Sequence, residues 1–255
     1  MTASPAAPAA PAALHILGVP VHDVTYAETL GLIVHFVAEG RPRQICTVNP
    51  EFVMAAQADR EFMAILRGAD LCIPDGVGLL WAARWLKHPL RQRVAGSDLV
   101  PRLAAEAAAR RWRIFFLGAA EGVAEQAAAI LQARTPGLKV AGVWAGSPGP
   151  HADELALSKI RAVDPHILFV AYGAPAQDLW IARNRDRLNV SVLIGVGGAF
   201  DFIAGTARRA PAWVQRLGLE WLHRLIFQPW RWRRMLALPR FTLAVIFSPA
   251  STARP

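Results

Sequence analysis

The sequence predicts an α/β protein, a Rossmann-like, doubly wound, mostly parallel sheet with a C-terminal basic helical appendage. Short β-branched or aromatic apolar runs alternate with Ala-rich helical stretches from Ile45 to Gly197, the pattern of parallel βα units. Most of these runs lack polar alternation, as strands covered on both faces should. The 255 residues are 54% apolar and 18% charged, a balance that excludes a disordered chain and allows a full core with a smaller addition.

Taken in order, Met1 to Leu14 is rich in Ala and Pro and holds no Lys or Arg. It lacks the charged start of a secretory signal and reads as a disordered leader over 1–14. The α/β domain is expected over 15–209. Thr25-Tyr-Ala-Glu28 is a capping box that opens its first helix. The candidate strands are Ile45 to Val48, Leu71 to Ile73, Arg113 to Leu117, Lys139 to Val143, Ile167 to Ala171 and Val192 to Val196. Asn49-Pro50 supplies an N-cap and a first-position proline for a helix to about Arg67. Further helices are expected over Val77 to Leu86, Leu99 to Arg110, Glu121 to Arg134, Asp153 to Val163 and Gln177 to Leu188. Cys46 and Cys72 sit inside apolar runs and read as buried structural thiols of a reducing compartment.

The appendage, 210–255, has a different texture. Ala210-Pro211 opens a helical stretch to about Phe227, Gln228-Pro229 breaks it, and Trp230 to Leu238 continues it. Phe241 to Phe247 is an apolar tail too short to cross a bilayer, which takes roughly 20 residues. Of a net charge of +9, nearly all lies here: from Phe202 to Pro255 there are nine arginines, no lysine and one acid, Glu220. Trp213, Trp221, Trp230 and Trp232 are interleaved with them, which suits an interfacial membrane surface or a nucleic-acid surface.

In an open parallel sheet, ligands bind beyond the carboxyl ends of the strands. Polar residues stand there at Thr47 and Asn49, at Asp75, at Gln177 and Asp178, and at Gly197, Gly198 and Asp201. Asp75, between an apolar strand and a glycine, suits a proton-abstracting carboxylate. Spacing alone favours a turn or cap aspartate there, a plain helix cap at Asn49, and a helix start at Gln177. Gly197-Gly198 fits either a phosphate approach or a tight strand exit. Neither a G-x-G-x-x-G turn nor a P-loop occurs. The seven histidines are scattered, and H-E-x-x-H, paired C-x-x-C and D-x-D are all absent, so neither a metal nor another cofactor is expected. A diphosphate would then need fixed positive charge, which Arg224, Arg231 and Arg234 supply near one helical face if Pro229 bends the helix little. A solvated basic rim, or attraction to anionic headgroups, is the other use open to these arginines.

Together these segments resemble the WecB/TagA/CpsF sugar transferases, from about Leu14 to Val245. The resemblance rests on Thr47-Val-Asn-Pro-Glu, Ala69-Asp-Leu-Cys-Ile-Pro-Asp-Gly76, Arg93-Val-Ala-Gly-Ser-Asp98, Phe116-Leu-Gly, Tyr172-Gly-Ala-Pro-Ala-Gln177, Gly195-Val-Gly-Gly-Ala-Phe-Asp201, Ala204-Gly-Thr-Ala-Arg-Arg-Ala-Pro211 and Gly218-Leu-Glu-Trp-Leu-His-Arg224. Several are weak alone, but their order is highly specific.

The resemblance implies a metal-independent, inverting transfer of N-acetylmannosamine or a related hexose from a UDP-sugar to undecaprenyl-diphosphate-linked N-acetylglucosamine. It places the chain in cell-surface polysaccharide assembly, peripheral to the cytoplasmic face of a bacterial membrane, with an anionic lipid surface as partner, no nucleic acid, and a homo-oligomer among the assembly states. It puts the base on Asp75, active-site Thr, Asn and Gln on Thr47, Asn49 and Gln177, a pocket arginine on Arg93, appendage arginines on Arg224, Arg231 and Arg234, and a uracil-side aspartate on Asp201. The chain departs from the family pattern at Ala176, where a lysine is usual, at Asp178, where a glutamate is usual, and at Ser147, where an aromatic residue is common. UDP-glucose, UDP-galactose and an acidic UDP-sugar stay open as donors. An oxidoreductase on the same sheet and a noncatalytic binding module are the readings from other classes, and the missing dinucleotide turn argues against the first.

Overall fold

A computed structural model describes residues 11–211, 213, 214, 219–227, 229 and 232–248, without the side chains of 224 and 233. The described residues open with an antiparallel hairpin, β1 (Ala13–Ile16) and β2 (Val19–His22). Sequence reading did not find it, because Leu17-Gly18 is not a favoured turn pair and Pro20 speaks against a strand. Both turn residues nevertheless take positive φ, 49° and 80°, the combination a two-residue type I′ hairpin needs. The first strand thus starts inside the stretch read as leader; residues 1–10 lie outside the described residues. The Cys72 amide donates to His22 Nδ1 at 2.9 Å, which pins β2 to the sheet.

Six parallel strands form that sheet: β3 (Arg43–Val48), β4 (Leu71–Pro74), β5 (Arg113–Gly118), β6 (Lys139–Trp144), β7 (Ile167–Ala171) and β8 (Val192–Gly195). Their order is β4-β3-β8-β7-β5-β6, and all six coincide with expected strands. Between and after them run α1 (Tyr26–Glu39), α2 (Pro50–Ala58), α3 (Arg60–Gly68), α4 (Val77–Trp85), α5 (Gly96–Arg110), α6 (Val123–Arg134), α7 (Asp153–Arg161), α8 (Ala176–Asn184), α9 (Ala199–Ala204), α10 (Glu220–Phe227), α11 (Trp232–Met235) and α12 (Ala237–Phe247).

The sheet is covered on both faces, and successive strand residues serve opposite layers. Ile45, Ile73, Phe116, Phe169 and Ile194 meet α1, α5, α6 and α9 on one side. On the other, Cys46, Val48 and Cys72 meet the hairpin, α2, α3, α4 and α12, while Phe115, Leu168 and Leu193 meet α7 and α8. Cys46 and Cys72 are buried free thiols at paired positions of β3 and β4.

Three helices depart from expectation. The one opened by Asn49-Pro50 breaks at Asp59, whose extended backbone and side chain cap a new helix, Oδ1 accepting from the Phe62 amide at 3.0 Å; a short acceptor competes with the helical ladder and wins here. Helix α5 starts at Gly96, three residues before the expected Leu99, so its first free amide falls at Gly96. In the C-terminal stretch Leu219 lies outside a helix, and α10 and α11 are separate. The tail is not only a tail either: Phe241 and Val245 of α12, each 1% exposed, complete the core shared by the hairpin, α2 and α4. Among the described residues no helix is long and apolar enough to cross a membrane.

Candidate active site

The carboxyl ends of β3, β4, β7 and β8 open into a cavity of about 910 Å³, roofed by the C-terminal helices. Its floor is set by side chains tied to backbone. Thr47, next to last in β3, is buried, and its Oγ1 donates to the Gly195 carbonyl of β8 at 2.8 Å. Asn49 caps α2, accepting from the Phe52 amide at 3.0 Å, and also lines the cavity, so its structural and functional readings hold together. Asp75 follows β4; its amide donates to the Val48 carbonyl at 2.7 Å, continuing the pairing of β3 with β4. Its Oδ2 accepts from the Gly96 amide at 3.1 Å, one of the amides a helix start leaves without an internal partner. Gln177, 1% exposed, accepts from the Gly197 amide at 2.9 Å through Oε1 and so fixes the turn between β8 and α9. That tie requires Gly195: a Cβ there would stand 2.5 Å from Gln177 Nε2.

The wall is ionic. Arg93 pairs with Glu220 of α10 at 3.2 Å and lies 3.9 Å from Asp98. Arg209 pairs with Asp98 at 2.6 Å. Burial opposes the charge on Asp98, but Arg209 and Arg93 outweigh it and hold the carboxyl below its ordinary range. The Tyr26 hydroxyl accepts from the Ala95 amide and donates to Asp98, and burial pushes this phenol up to about 12. Arg234 of α11 holds Glu51 in the first turn of α2, at 2.8 Å through Nε and 2.7 Å through Nη2. Asp201 of α9 accepts from the Thr206 hydroxyl through its own carbonyl at 3.2 Å and its carboxylate at 3.4 Å.

Thus Thr47, Asn49, Asp75, Arg93, Gln177, Gly197, Gly198, Asp201 and Arg234 line one cavity. Arg231 and the Arg224 side chain lie outside the described residues. Arg224 belongs to α10 and Arg234 to α11; the shared basic face expected of them with Arg231 rests in part on side chains outside the described residues. Sequence reasoning did not place Glu51, Glu220, Trp81 or Trp221 at the site, although all four line the cavity, as does Tyr172, which opens the segment after the fifth expected strand. For Glu220 the signal was available: it is the one acid in a strongly basic stretch. Asp178, beside Gln177, faces inward and is fully buried. Burial raises its carboxyl to about 7, a rise that the Cys46 and Gln177 side chains partly offset. Among the described residues no group of three or more His, Cys, Asp or Glu side chains gathers as a metal site.

A carboxylate at the sheet rim, guanidinium groups lining the same cavity, and a glycine turn at the β8 exit that leaves room for a ligand can deprotonate a hydroxyl and stabilise a leaving phosphate. The model of the WecG/TagA/CpsF glycosyl transferase family matches residues 14–254. The chain belongs to that family. It is a glycosyltransferase, and its similarity to named relatives runs over most of its length. It is 37% identical over 213 residues to the N-acetylglucosaminyldiphosphoundecaprenol N-acetyl-beta-D-mannosaminyltransferase of Bacillus subtilis (strain 168), covering 83% of this chain and 82% of the relative. A transferase of the same description from Bacillus spizizenii is 36% identical over 212 residues, covering 83% and 81%. One from Staphylococcus aureus (strain NCTC 8325) is 30% identical over 230 residues, covering 89% of each chain.

Proposed function

We propose that this glycosyltransferase moves N-acetylmannosamine from its UDP derivative to N-acetylglucosamine carried on undecaprenyl diphosphate, with inversion and without a metal ion, at the cytoplasmic face of the membrane. The relatives' names support the acceptor and the sugar. The observation that carries the mechanism is the placement of Asp75, Arg93 and Arg234 around one cavity.

The acceptor hydroxyl oxygen attacks the anomeric carbon while Asp75 takes its proton. The bond from that carbon to the β-phosphate oxygen breaks, its electron pair leaves with UDP, and configuration inverts. The Gly96 amide keeps the Asp75 carboxylate oriented through this step. Arg93 and Arg234 exchange their carboxylate partners for diphosphate oxygens, supplying charge that other sugar transferases draw from a cation. Thr47, Asn49 and Gln177 hold the floor against which the sugar is positioned, and Asp201, which lines the same cavity, accepts from the uracil amide. Exposed Trp213, Ile226, Phe227 and Trp232 among arginines support contact with an anionic membrane surface.

The test is UDP release and product formation with UDP-N-acetylmannosamine, UDP-glucose, UDP-galactose and UDP-N-acetylmannosaminuronic acid against a short-chain lipid-linked N-acetylglucosamine, with and without chelator. Turnover on the first donor that persists in chelator supports the proposal. Preference for another donor overturns the assigned sugar, and loss of turnover in chelator overturns the metal-free chemistry.

A further inference from the structure

Helix α4 carries a surface feature that the reaction as described does not use. It starts two residues after Asp75, and its exposed apolar positions recur every four residues: Val77 and Trp81 at 37% exposure and Trp85 at 53%. The two indoles stack, with ring centroids 6.1 Å apart and planes 21° from parallel. Val77 and Trp81 line the cavity, and Trp85 lies beyond it. Eight residues of helix span about 12 Å, so one continuous apolar stripe begins beside the catalytic carboxylate and ends on the open surface.

The topology says which substrate meets this stripe. Strand β4 is an edge strand, and β8, which leads to Gly197, Gly198 and Asp201, lies two strands further in, about 10 Å away. The open Gly197-Gly198 turn, which lets a phosphate come close, and the aspartate suit a nucleotide diphosphate. The Val77, Trp81 and Trp85 side chains offer broad apolar faces and only indole N–H groups as hydrogen-bond donors, so they do not suit phosphate. An indole can stack on a base, but these stand away from the β8 turn and Asp201 that suit the nucleotide. Exposed aromatic pairs of this kind are costly to leave in water unless something apolar covers them.

We infer that α4 is the acceptor's lipid subsite: the donor occupies the β8 side of the cavity, and the polyprenyl chain of the acceptor leaves over the sheet edge along Trp81 and Trp85. This rests on the proposed lipid-linked acceptor. The stripe is a track for the substrate's own tail and not a general membrane contact, because it is continuous with the cavity that holds the reacting end.

The test uses the full chain in detergent solution, where no bilayer is present, with UDP-N-acetylmannosamine and two acceptors, N-acetylglucosamine diphosphate bearing a polyprenyl chain or a short alkyl chain. Trp85→Ser raises KM for the polyprenyl acceptor about tenfold, as losing one aromatic contact of roughly 1.4 kcal/mol does. It shifts KM for the short-chain acceptor and for the donor less than about twofold, and Trp85→Phe recovers most of the loss. Equal changes for both acceptors, or none for either, overturn the subsite. So does a loss of binding to phosphatidylglycerol vesicles without acceptor that accompanies an unchanged polyprenyl KM, since that assigns Trp85 to membrane docking. A wild type active on the short-chain acceptor keeps the proposed function standing whatever the Trp85 variants do.

Discussion

The floor and the wall of the cavity hold their polar groups in different ways. On the floor, Thr47, Asn49, Asp75 and Gln177 are each tied to a backbone amide or carbonyl, partners that cannot leave while the sheet stands. On the wall, Arg93 and Arg234 are tied to the carboxylates of Glu220 and Glu51, and the Arg234 side chain is 48% exposed. Backbone ties fix geometry before substrate arrives, which is what a reacting centre needs. Carboxylate ties are exchangeable, because a diphosphate offers a guanidinium the same forked oxygens with more charge. The difference separates positioning from capture.

The floor is broken most deeply at Asp75. Asp75→Asn keeps the size and the hydrogen bond to Gly96 and removes the proposed base, so kcat falls by about 10²–10⁴-fold with thermal stability little changed, measured by UDP release and a melting curve. A variant that keeps its rate removes the carboxylate from the chemistry. On the wall, Arg234→Ala lowers kcat/KM for the UDP-sugar by roughly 10–100-fold, less than loss of a fully enclosed donor because the group is half exposed; an effect on the acceptor alone would move Arg234 away from the donor diphosphate.

Gly195→Ala tests whether the floor depends on close packing. Its Cβ would press on Gln177 Nε2, and overpacking of about 1–3 kcal/mol lowers Tm by some 2–4 °C per kcal/mol for a chain of this size, with turnover falling alongside. Asp178 sharpens the point through pH. Its folded carboxyl titrates near 7, above an unfolded value near 4, so the folded state holds the extra proton between them and stability declines as pH rises through that window. Asp178→Asn removes the dependence, and its stability relative to wild type is greater at pH 8 than at pH 5; parallel curves would show that burial does not govern this group. The smallest effect belongs to Glu51→Gln, which frees Arg234. A surface pair is worth about 0–1 kcal/mol, so KM for the UDP-sugar falls by no more than about fivefold, and less in high salt.

The sheet was legible because its strands are continuous apolar runs bounded by caps, and Thr25, Asn49 and their helices followed from local rules. Most of the floor was legible for the same reason, since position after a parallel strand places a residue at the site. The hairpin was not, because its turn uses a leucine in the left-handed region, which no propensity favours. Neither were the partners on the wall: Arg93 meets Glu220 across 127 positions and Arg234 meets Glu51 across 183, distances over which periodicity carries no information. Reading 210–255 by composition as a separate appendage also concealed the inward face of α12, where Phe241 and Val245 alternate with the exposed Leu243, Ile246 and Phe247.

Helix α12 shares a core with β1, so the hairpin is fully packed only once residues 237–247 are in place. During synthesis the apolar sides of α2 and α4 stay uncovered until residues 237–247 leave the ribosome, which makes the nascent chain dependent on protection until then. Protease resistance that appears only once residues 237–247 have emerged would be its signature.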